Sequence, residues 1–224
     1  MQNVTVDRHK YIGGSDIPII MGLSPFKTRF ELLQEKAQIR ENDFAGNEYT
    51  EYGNVMEDKI RQFINTEYGA NFVEDKTTRE DLRYHADGFD VSGRQLLEIK
   101  TTSQIYNDVE NYRAYLSQLV FGLDIYNVEH GLLVVYERPD DFNTEFEKDR
   151  LHLYPINIKE WGGLVDKIKT AVDSFRDDLK KIKADPFLTE EELQPAELVQ
   201  FTNKIIVLEK ELKSMKAIEK QLKE

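Results

Sequence analysis

The sequence predicts a mixed α/β fold, and three patterns along its 224 residues indicate it. Apolar residues recur at helical spacing in the first third of the chain. Short runs bounded by charged or glycine-containing turns follow in the middle, and helical spacing returns towards the C-terminus. Helices and strands that follow one another in this way are typical of a sheet covered by helices. We therefore expect a central sheet with helices packed against it.

Three helices are predicted in the first third of the chain. A serine or aspartate cap and an early proline begin the first of them, and glycines end the first and the third. The polar stretch before the third helix is predicted to be a loop. The expected helices are 15–20, 28–38 and a segment that begins after Gly53 and ends at Tyr68.

Five strands and a fourth helix are predicted in the middle of the chain. The expected strands are 72–73, 82–91, 96–101, 128–136 and 151–158, and the helix is 109–123. The first three strands form one meander, because Ser92-Gly93 supplies a tight turn between the second and the third.

A charged helical region follows Trp161 and is interrupted at Pro186 and Pro195. Its last part has apolar residues at alternating spacings of three and four, which is typical of a coiled-coil arm for self-association or for a partner protein. A terminal helix packed on its own domain would show the same pattern. We divide the chain into a domain of residues 1–185 and a C-terminal helical arm of residues 186–224. The seam is Leu198, Phe201, Ile205, Leu208, Leu212, Met215 and Leu222, with the polar Glu219 among them.

Composition excludes several kinds of site. The chain has no cysteine, so disulfides, thiolate catalysis, iron–sulfur clusters and cysteine-bound zinc are excluded, and any metal must bind to oxygen or histidine. No apolar run approaches the ~20 residues that would span a bilayer, so we expect a cytoplasmic protein. The net charge of −12 argues against nucleic acid as a partner. However, a carboxylate metal site is itself negative, and a few basic side chains can line a cleft.

The strongest chemical signal lies in two neighbouring predicted strands. Side chains alternate along a strand, so Glu98 and Lys100 face the same side, Ile99 faces the core, and Asp87 lies across from them. Two carboxylates and the carbonyl of Ile99 form an all-oxygen site suited to Mg²⁺, with Mn²⁺ as a substitute. A metal there can activate water for phosphodiester hydrolysis, while the ammonium group of Lys100 stabilises developing charge.

Each of these residues also has a simpler interpretation. Asp87 precedes a glycine and can be a turn residue, and Glu98 with Lys100 can be an exposed strand face. The site is favoured because both charged residues of that strand lie in an otherwise apolar run. Asp90 would share the face of Asp87 but lie one pleat away from Glu98.

These residues resemble a known family. Asp87 followed by Glu98-Ile99-Lys100 resembles the PD-(D/E)xK nuclease signature, which is short and occurs by chance. Together with other segments, it resembles the lambda-exonuclease group, or YqaJ-like viral recombinase nucleases, over residues 8–136. The resemblance implies a restriction-endonuclease-like core, in which helices flank a central mixed β-sheet. The further matching segments are 12–17 (IGGSDI), 53–57 (GNVME) and 115–119 (YLSQL).

The resemblance adds two residues to the expected catalytic set. Glu57 is similar to the family's helical carboxylate, which contacts the metals directly or through water, although a first-turn glutamate is commonly solvated. Gln118 resembles a glutamine that orients the lysine or the scissile strand, although it can also be an ordinary polar position. Gly122 stands where relatives often have a tyrosine, so that the glutamine motif is incomplete.

The resemblance also implies a pocket for a 5′-phosphate. Arg8 resembles the arginine that binds this group, and a guanidinium fork suits it, although a lone arginine is usually solvated. Ser15, after two glycines at a predicted helix start, can bind the same phosphate or act only as a cap.

The resemblance implies a Mg²⁺-dependent 5′-to-3′ exonuclease on linear double-stranded DNA. It would leave 3′ overhangs for a single-strand annealing recombinase, assemble as a ring and act in the cytoplasm of a phage host. A structure- or site-specific endonuclease on the same core remains an alternative, as does a non-catalytic protein that uses its coiled-coil arm.

Overall fold

A computed structural model describes residues 7–41, 46–194 and 204–216 of the chain. Contacts between residues divide the chain into two compact units, one that extends to Leu179 and one from Lys180 to Glu224. The first unit contains the sheet and the predicted site. No helix in the described part of the chain is long and apolar enough to cross a membrane.

Helices and strands alternate as a mixed α/β fold requires. The helices are α1 (Ile17–Ile20), α2 (Arg29–Lys36), α3 (Glu48–Tyr68), α4 (Arg113–Tyr126), α5 (Gly162–Ala184), α6 (Glu190–Leu193) and the segment 204–216. The strands are β1 (Ile12–Gly13), β2 (Val73–Arg79), β3 (Leu82–Asp90), β4 (Gln95–Thr102), β5 (His130–Glu137) and β6 (Leu151–Asn157).

All six strands form one sheet in the order β1-β3-β4-β5-β6, and β2 also pairs with β3. The pairs β1 with β3 and β4 with β5 are parallel, whereas the other pairs are antiparallel. Helix α4 makes the crossover between the parallel strands β4 and β5, which cannot be joined by a tight turn. The mixed sheet flanked by helices, predicted from the sequence, is confirmed.

Strand β3 has an opening along one of its edges. β2 covers most of the other edge, with pairs from Arg79↔Leu82 to Val73↔Phe89 and one register shift between Val73 and Asp75. Both remaining neighbours therefore share the first edge, where β1 pairs with 82–83 and β4 pairs with 88–90. In the described structure, residues 84–87 lie between them without a neighbouring strand on that edge. At this opening, side chains have room beside the edge of β3 and can form a site.

One apolar core lies between α3 and the sheet. Burial of a Leu, Ile or Met side chain contributes about 1.5–3 kcal/mol each, so this layer holds the strands in place. On α3 the buried apolar residues recur every four positions, which is close to the helical period. The core consists of Tyr52, Met56, Ile60, Ile64, Phe72, Leu97, Ile99, Val134 and Tyr136.

Helix α3 differs from the prediction at its start. It begins at Glu48 and is capped by Asn47, whose side chain accepts a hydrogen bond of 3.1 Å from Thr50 N. The predicted start after Gly53 was therefore wrong, because this glycine lies inside the helix next to Thr101. Consequently, Glu57 is in the interior of the helix and not in its first turn. The helix ends as predicted, with Gly69 at φ 63°.

Two strands escaped the sequence analysis in whole or in part. β2 extends to Arg79, although only 72–73 was predicted, because its polar and mostly exposed residues show no apolar alternation. β1 has two residues and is too short to give a pattern. The predicted first helix, 15–20, is a 3₁₀ turn over Gly14–Asp16 followed by α1.

The segment 204–216 is helical, as predicted, and its four seam residues are exposed. They are Ile205, Leu208, Leu212 and Met215. The remaining predicted seam residues, Leu198, Phe201, Glu219 and Leu222, lie outside the described residues. The coiled-coil arm stays a prediction.

Candidate active site

Asp87 and Glu98 meet at the opening beside β3. The ladder between β3 and β4 ends at the pair Gly88↔Leu97, and these two acidic residues lie immediately beyond it. From there on, the carboxylate of Asp87 replaces strand pairing, since its Oδ2 accepts a hydrogen bond of 2.7 Å from Ile99 N. The N–H and carbonyl of one residue point to the same side of a strand, so the carbonyl of Ile99 faces the same opening.

Lys100 completes this group from the same strand. Its Nζ lies 2.5 Å from Oε1 of Glu98, whose side chain is completely buried, while Lys100 is about one-quarter exposed. The other carboxylate oxygen of Glu98 accepts a hydrogen bond from the hydroxyl of Tyr84. The structure therefore brings the predicted aspartate, glutamate and lysine into one cluster.

Burial and neighbouring charges determine the protonation of Asp87 and Lys100. Burial, and then the carboxylate of Glu98, raise the pKa of Asp87 to about 7. Burial alone would lower the pKa of Lys100, but Glu98 and Asp87 outweigh it and raise that pKa above its ordinary value. Lys100 therefore stays an ammonium group at neutral pH. Carboxylates with raised pKa values beside a retained positive charge are typical of functional sites.

Glu57 reaches the same cluster from α3. Burial, and next the charge of Asp87, raise the pKa of Glu57 to about 7, and its carboxylate accepts a hydrogen bond of 3.1 Å from Arg61. Arg61 also donates to the main-chain carbonyl of Asp87 and lies 2.7 Å from Glu74. Arg61 was not predicted, because its contacts with Glu74 and Asp87 are distant in sequence and its spacing to Glu57 is that of an ordinary helical ion pair.

The donor set fits a hard divalent cation. In the described part of the chain, no three Asp, Glu, His or Cys side chains are arranged to hold an ion by themselves. Mg²⁺ usually binds one or two carboxylates and completes its shell with waters and substrate phosphate, so two carboxylates are enough. The buried Oε1 of Glu98 pairs with the ammonium group of Lys100 at 2.5 Å but accepts no hydrogen bond of regular geometry from the described residues. Asp87, Glu98 and the carbonyl of Ile99 are the residues that would hold the ion.

A buried ion pair holds the N-terminal segment, residues 8–16, beside this cluster. Nζ of Lys36 lies 2.6 Å from Oδ2 of Asp16, and it also donates to the carbonyls of Arg8 (2.9 Å) and Tyr11 (2.6 Å). The guanidinium group of Arg8 lies 3.5 Å from Asp16 and is about two-fifths exposed. Ser15 precedes Asp16 in the 3₁₀ turn Gly14–Asp16 and is exposed. Lys36 was not predicted, because nothing in the sequence near it signals a role.

Gln118 enters the site from α4, next to Gly14. A Cβ atom built on Gly14 would lie 3.5 Å from Cγ of Gln118 and 2.7 Å from the ring of Tyr84. Gly122, one turn further along α4, also faces that ring. The absence of a tyrosine at position 122 therefore has a structural reason: the ring of Tyr84 occupies the space that a side chain there would need.

Six of the predicted side chains line one cleft of about 1270 Å³, whereas the completely buried Glu98 is not among its lining residues; the six are Arg8, Ser15, Glu57, Asp87, Lys100 and Gln118. Its acidic residues are Asp16, Glu57, Asp58, Glu74, Asp75 and Asp87, and its basic residues are Arg8, Lys36, Lys76, Arg83 and Lys100. Asp90 is absent from this lining. Its carboxylate accepts hydrogen bonds from Ser92 and Gly93, so it forms the turn between β3 and β4.

The aromatic cluster near α4 is largely packed within the protein. The ring of Tyr112 stacks on that of Tyr115, with centroids 5.8 Å apart, and lies 5.0 Å from that of Tyr106. The hydroxyl of Tyr154 donates to the carbonyl of Tyr106. These contacts account for the cluster by packing within the protein.

Two solved structures resemble this fold. A phage-related exonuclease from Haemophilus somnus 129PT superposes with a TM-score of 0.60 at 16% identity and covers 78% of this chain and 96% of its own. LHK-Exo in complex with dAMP superposes with a TM-score of 0.56 at 18% identity and covers 79% and 91%. At these identities, the similarity shows a shared fold.

Relatives are also found by sequence. The uncharacterized protein YqaJ of Bacillus subtilis is 28% identical over 56% of this chain, which spans 42% of that relative's length. The uncharacterized protein MG373 of Mycoplasma genitalium is 26% identical over 74% of this chain and 80% of its own. The model of the YqaJ-like viral recombinase domain matches residues 5–120, which is more than half of the chain and includes β3, β4 and the whole cluster. This chain therefore belongs to the YqaJ-like viral recombinase domain family.

Proposed function

We propose that this protein is a Mg²⁺-dependent exonuclease that degrades one strand of linear double-stranded DNA in the 5′-to-3′ direction. The observation that carries the proposal is the convergence of Asp87, Glu98 and Lys100 at the opening beside β3. The name of one neighbour of the same fold describes a phage-related exonuclease, and that of the other describes a complex with dAMP, a DNA mononucleotide.

The residues of the cluster have separate tasks in phosphodiester hydrolysis. Asp87, Glu98 and the carbonyl of Ile99 would hold the metal, and Glu57 would contact it directly or through water. Mg²⁺, when bound there, would supply a Lewis acid for a phosphoryl oxygen and for the attacking water. Lys100 keeps its proton because of the two adjacent carboxylates, so it stabilises negative charge on the phosphate and orients the attacking water.

Gln118 and the N-terminal segment bind the substrate around this centre. Gln118 lines the cleft between α4 and the N-terminal segment, where its amide can orient Lys100 or the scissile strand. Arg8 and the exposed hydroxyl of Ser15 bind the 5′-phosphate of the strand end. An end-binding pocket beside the catalytic cluster would give the cleavage its polarity.

The products and partners follow from this polarity. Removal of one strand from the 5′ end leaves a 3′ overhang, which a single-strand annealing recombinase would use in phage-type recombination. The proposal includes a ring-shaped homo-oligomer that encloses the duplex and acts in the cytoplasm of a bacterial host. Enclosure would let one enzyme remove many nucleotides before it dissociates.

One gel experiment tests the activity and its polarity together. Linear duplex with a 5′-phosphate, the same duplex without it and a closed circle are incubated with wild-type protein in Mg²⁺, and with Lys100→Ala as control. We expect fastest digestion of the phosphorylated duplex, none of the circle, and a loss on the order of 10²–10³-fold in the variant. No digestion by the wild type in Mg²⁺ or Mn²⁺ would overturn the proposal.

A structure- or site-specific endonuclease is the second candidate, because its metal chemistry would be the same and only end binding would differ. Arg8, partly exposed at the rim, is the residue that separates the two. If Arg8→Ala loses the preference for 5′-phosphorylated ends but still cleaves, the exonuclease is supported. Cleavage of the circle, or end dependence that Arg8→Ala leaves unchanged, favours the endonuclease.

A further inference from the structure

Tyr84 connects the sheet to the buried carboxylate of the site. Its ring is completely buried on β3, and its hydroxyl donates a hydrogen bond to Oε2 of Glu98, which is also completely buried. The second oxygen of that carboxylate faces Lys100. Each oxygen of Glu98 therefore has its own partner, and the plane of the carboxylate is fixed by two groups from different strands.

The ring of Tyr84 lies in a slot that two glycines make possible. A Cβ atom on Gly14 would lie 2.7 Å from two ring carbons, and one on Gly122 would come closer still to the carbon that bears the hydroxyl. Real Cβ atoms essentially never approach so closely, so a side chain at either position would displace the ring. Gly14 belongs to the N-terminal segment and Gly122 to α4, so two separate elements hold the hydroxyl in place.

The slot alone does not require a hydroxyl group. A phenylalanine would fill it with nearly the same apolar volume and would avoid the burial of a polar group. The polar group that needs the hydroxyl is the carboxylate of Glu98, because a buried carboxylate is stabilised by hydrogen bonds to its charged form. A tyrosine hydroxyl carries its proton at neutral pH, so it is a donor to this carboxylate.

We propose that Tyr84 is a positioning residue for metal binding, which fixes the rotation of the Glu98 carboxylate so that Oε1 faces the opening beside β3, and that Gly14 and Gly122 keep its hydroxyl in reach. This inference rests on the proposed function, because it treats Glu98 as a metal ligand. Hydrogen-bond partners that orient metal ligands typically contribute 10–100-fold to metal affinity.

Removal of the single hydroxyl group is the direct test. Mn²⁺ binding to Tyr84→Phe in the absence of DNA is measured by calorimetry or by the paramagnetic resonance of the free ion. We expect affinity about 10–100-fold weaker than in the wild type. The Mg²⁺ concentration for half-maximal cleavage should rise with it, while the rate at saturating Mg²⁺ recovers. An unchanged Mn²⁺ affinity overturns the inference.

Tyr136→Phe is the matched control. Tyr136 is also completely buried, and its hydroxyl accepts a hydrogen bond of 2.9 Å from Glu147 N, away from the cluster. Both variants lose one buried hydroxyl group and about the same stability, which thermal denaturation measures. We expect only Tyr84→Phe to lose metal affinity. An equal loss of affinity in both variants would show a merely structural effect and would overturn the inference.

A cycle with Gly122→Ala tests the slot. In the wild-type background, the added methyl group displaces the ring of Tyr84, so Mn²⁺ affinity should fall. In the Tyr84→Phe background there is no hydroxyl group to displace, so the same substitution should leave affinity almost unchanged. Equal effects in the two backgrounds would overturn the role of Gly122.

The same measurements separate this inference from the proposed function. If the wild type binds Mn²⁺ and cleaves DNA but Tyr84→Phe matches it, only the inference on Tyr84 fails. If the wild type neither binds Mn²⁺ nor cleaves DNA, the proposed function fails and the inference fails with it.

Discussion

Arg61 is the cation that holds the acidic side of the cleft together. It is buried on α3, donates to the main-chain carbonyl of Asp87 and binds the carboxylates of Glu57, Asp58 and Glu74. Two of these partners, Asp58 and Glu74, are about two-thirds exposed, so solvent screens their share of the attraction. Arg61 therefore stabilises mainly its two less exposed partners, the carboxylate of Glu57 and the main-chain carbonyl of Asp87.

We expect Arg61→Met to lower the free energy of unfolding by about 1–3 kcal/mol, because buried acceptors lose a charged donor. The hydrogen bond from Arg61 lowers the pKa of Glu57, so its removal should also shift the acid limb of the cleavage profile to higher pH. Urea denaturation and a pH–rate profile measure the two effects. Arg40→Met, which breaks an exposed pair with Glu31, should cost less than about 1 kcal/mol. A loss in Arg61→Met no larger than in this control would contradict the role of Arg61.

The raised pKa values of Asp87 and Glu57 predict how stability depends on pH. Each is raised from near 4 to about 7 in the folded protein, so between those pH values the folded state binds more protons than the unfolded state. Stability from these groups is therefore complete below about pH 4 and is lost as the pH rises through about 7. Metal-free protein in EDTA should melt at a lower temperature at pH 8 than at pH 5, and the double variant Asp87→Asn/Glu57→Gln should lose most of this difference. An equal pH dependence in that variant would contradict the assignment.

At the scale of single residues, the sequence predicted the placement of a cluster but not its supports. Asp87, Glu98 and Lys100 could be predicted from the sequence, because side chains alternate along a strand and a hairpin brings the two strands together. Tyr84, Lys36 and Arg61 act mainly through contacts between residues that are distant in sequence, and local spacing does not encode these contacts. The catalytic and binding roles of the cluster remain proposals.

The ion pair between Lys36 and Asp16 joins two elements, α2 and the N-terminal segment. Both side chains are at least nine-tenths buried, and burial lowers the pKa of Lys36 even though Asp16 opposes this. Lys36 also donates to the carbonyl of Arg8, so it helps to position the residue that we propose binds the 5′-phosphate.

Lys36→Met should lower the free energy of unfolding by about 3–5 kcal/mol, because Asp16 is left as a buried charge without its lysine. The variant should also lose the preference for 5′-phosphorylated DNA ends. The double variant Asp16→Asn/Lys36→Met should regain part of the stability without regaining the preference. Urea denaturation and digestion of phosphorylated and dephosphorylated duplex measure both. Full end preference in the double variant would show that the pair serves stability alone.

At the scale of elements, the prediction succeeded where a pattern and a boundary signal coincide. β3, β4 and β6 were predicted nearly to the residue, and so was the end of α3 at Gly69, where the backbone is left-handed. β2 was cut short because a polar, exposed strand derives its structure from pairing with β3 and has no pattern of its own.

The whole molecule presents an electrostatic problem for a DNA-binding protein. Its net charge is −12, and the cleft itself has more acidic than basic side chains. Without a counter-ion the opening beside β3 would repel a phosphate group, so the proposed function requires a divalent cation for binding as well as for chemistry. Composition alone could not show this, because the arrangement of the carboxylates determines it.

We expect DNA affinity to depend on divalent cations. Fluorescence anisotropy of a labelled duplex should show binding on the order of tenfold tighter in Ca²⁺ than in EDTA at equal ionic strength. Asp87→Asn/Glu98→Gln should bind DNA more tightly than the wild type in EDTA, yet gain little from Ca²⁺. Equal wild-type affinity in EDTA and Ca²⁺ would contradict the account of the cleft.

At the same scale, the sequence was sufficient for the fold class and the family. Both depend on patterns spread over many residues, and these survive errors at single boundaries. The use of the C-terminal helical arm, for self-association, for a partner protein or for packing on its own domain, stays a prediction, because the heptad pattern is the same in each case.

The most direct test of the central claim is the position of a bound metal in crystals soaked with Mn²⁺, located by anomalous scattering. We predict a peak at the opening beside β3, about 2 Å from carboxylate oxygens of Asp87 and Glu98 and from the carbonyl of Ile99. No peak at saturating Mn²⁺, or a peak bound only by residues elsewhere, would contradict the claim that these groups form a metal centre.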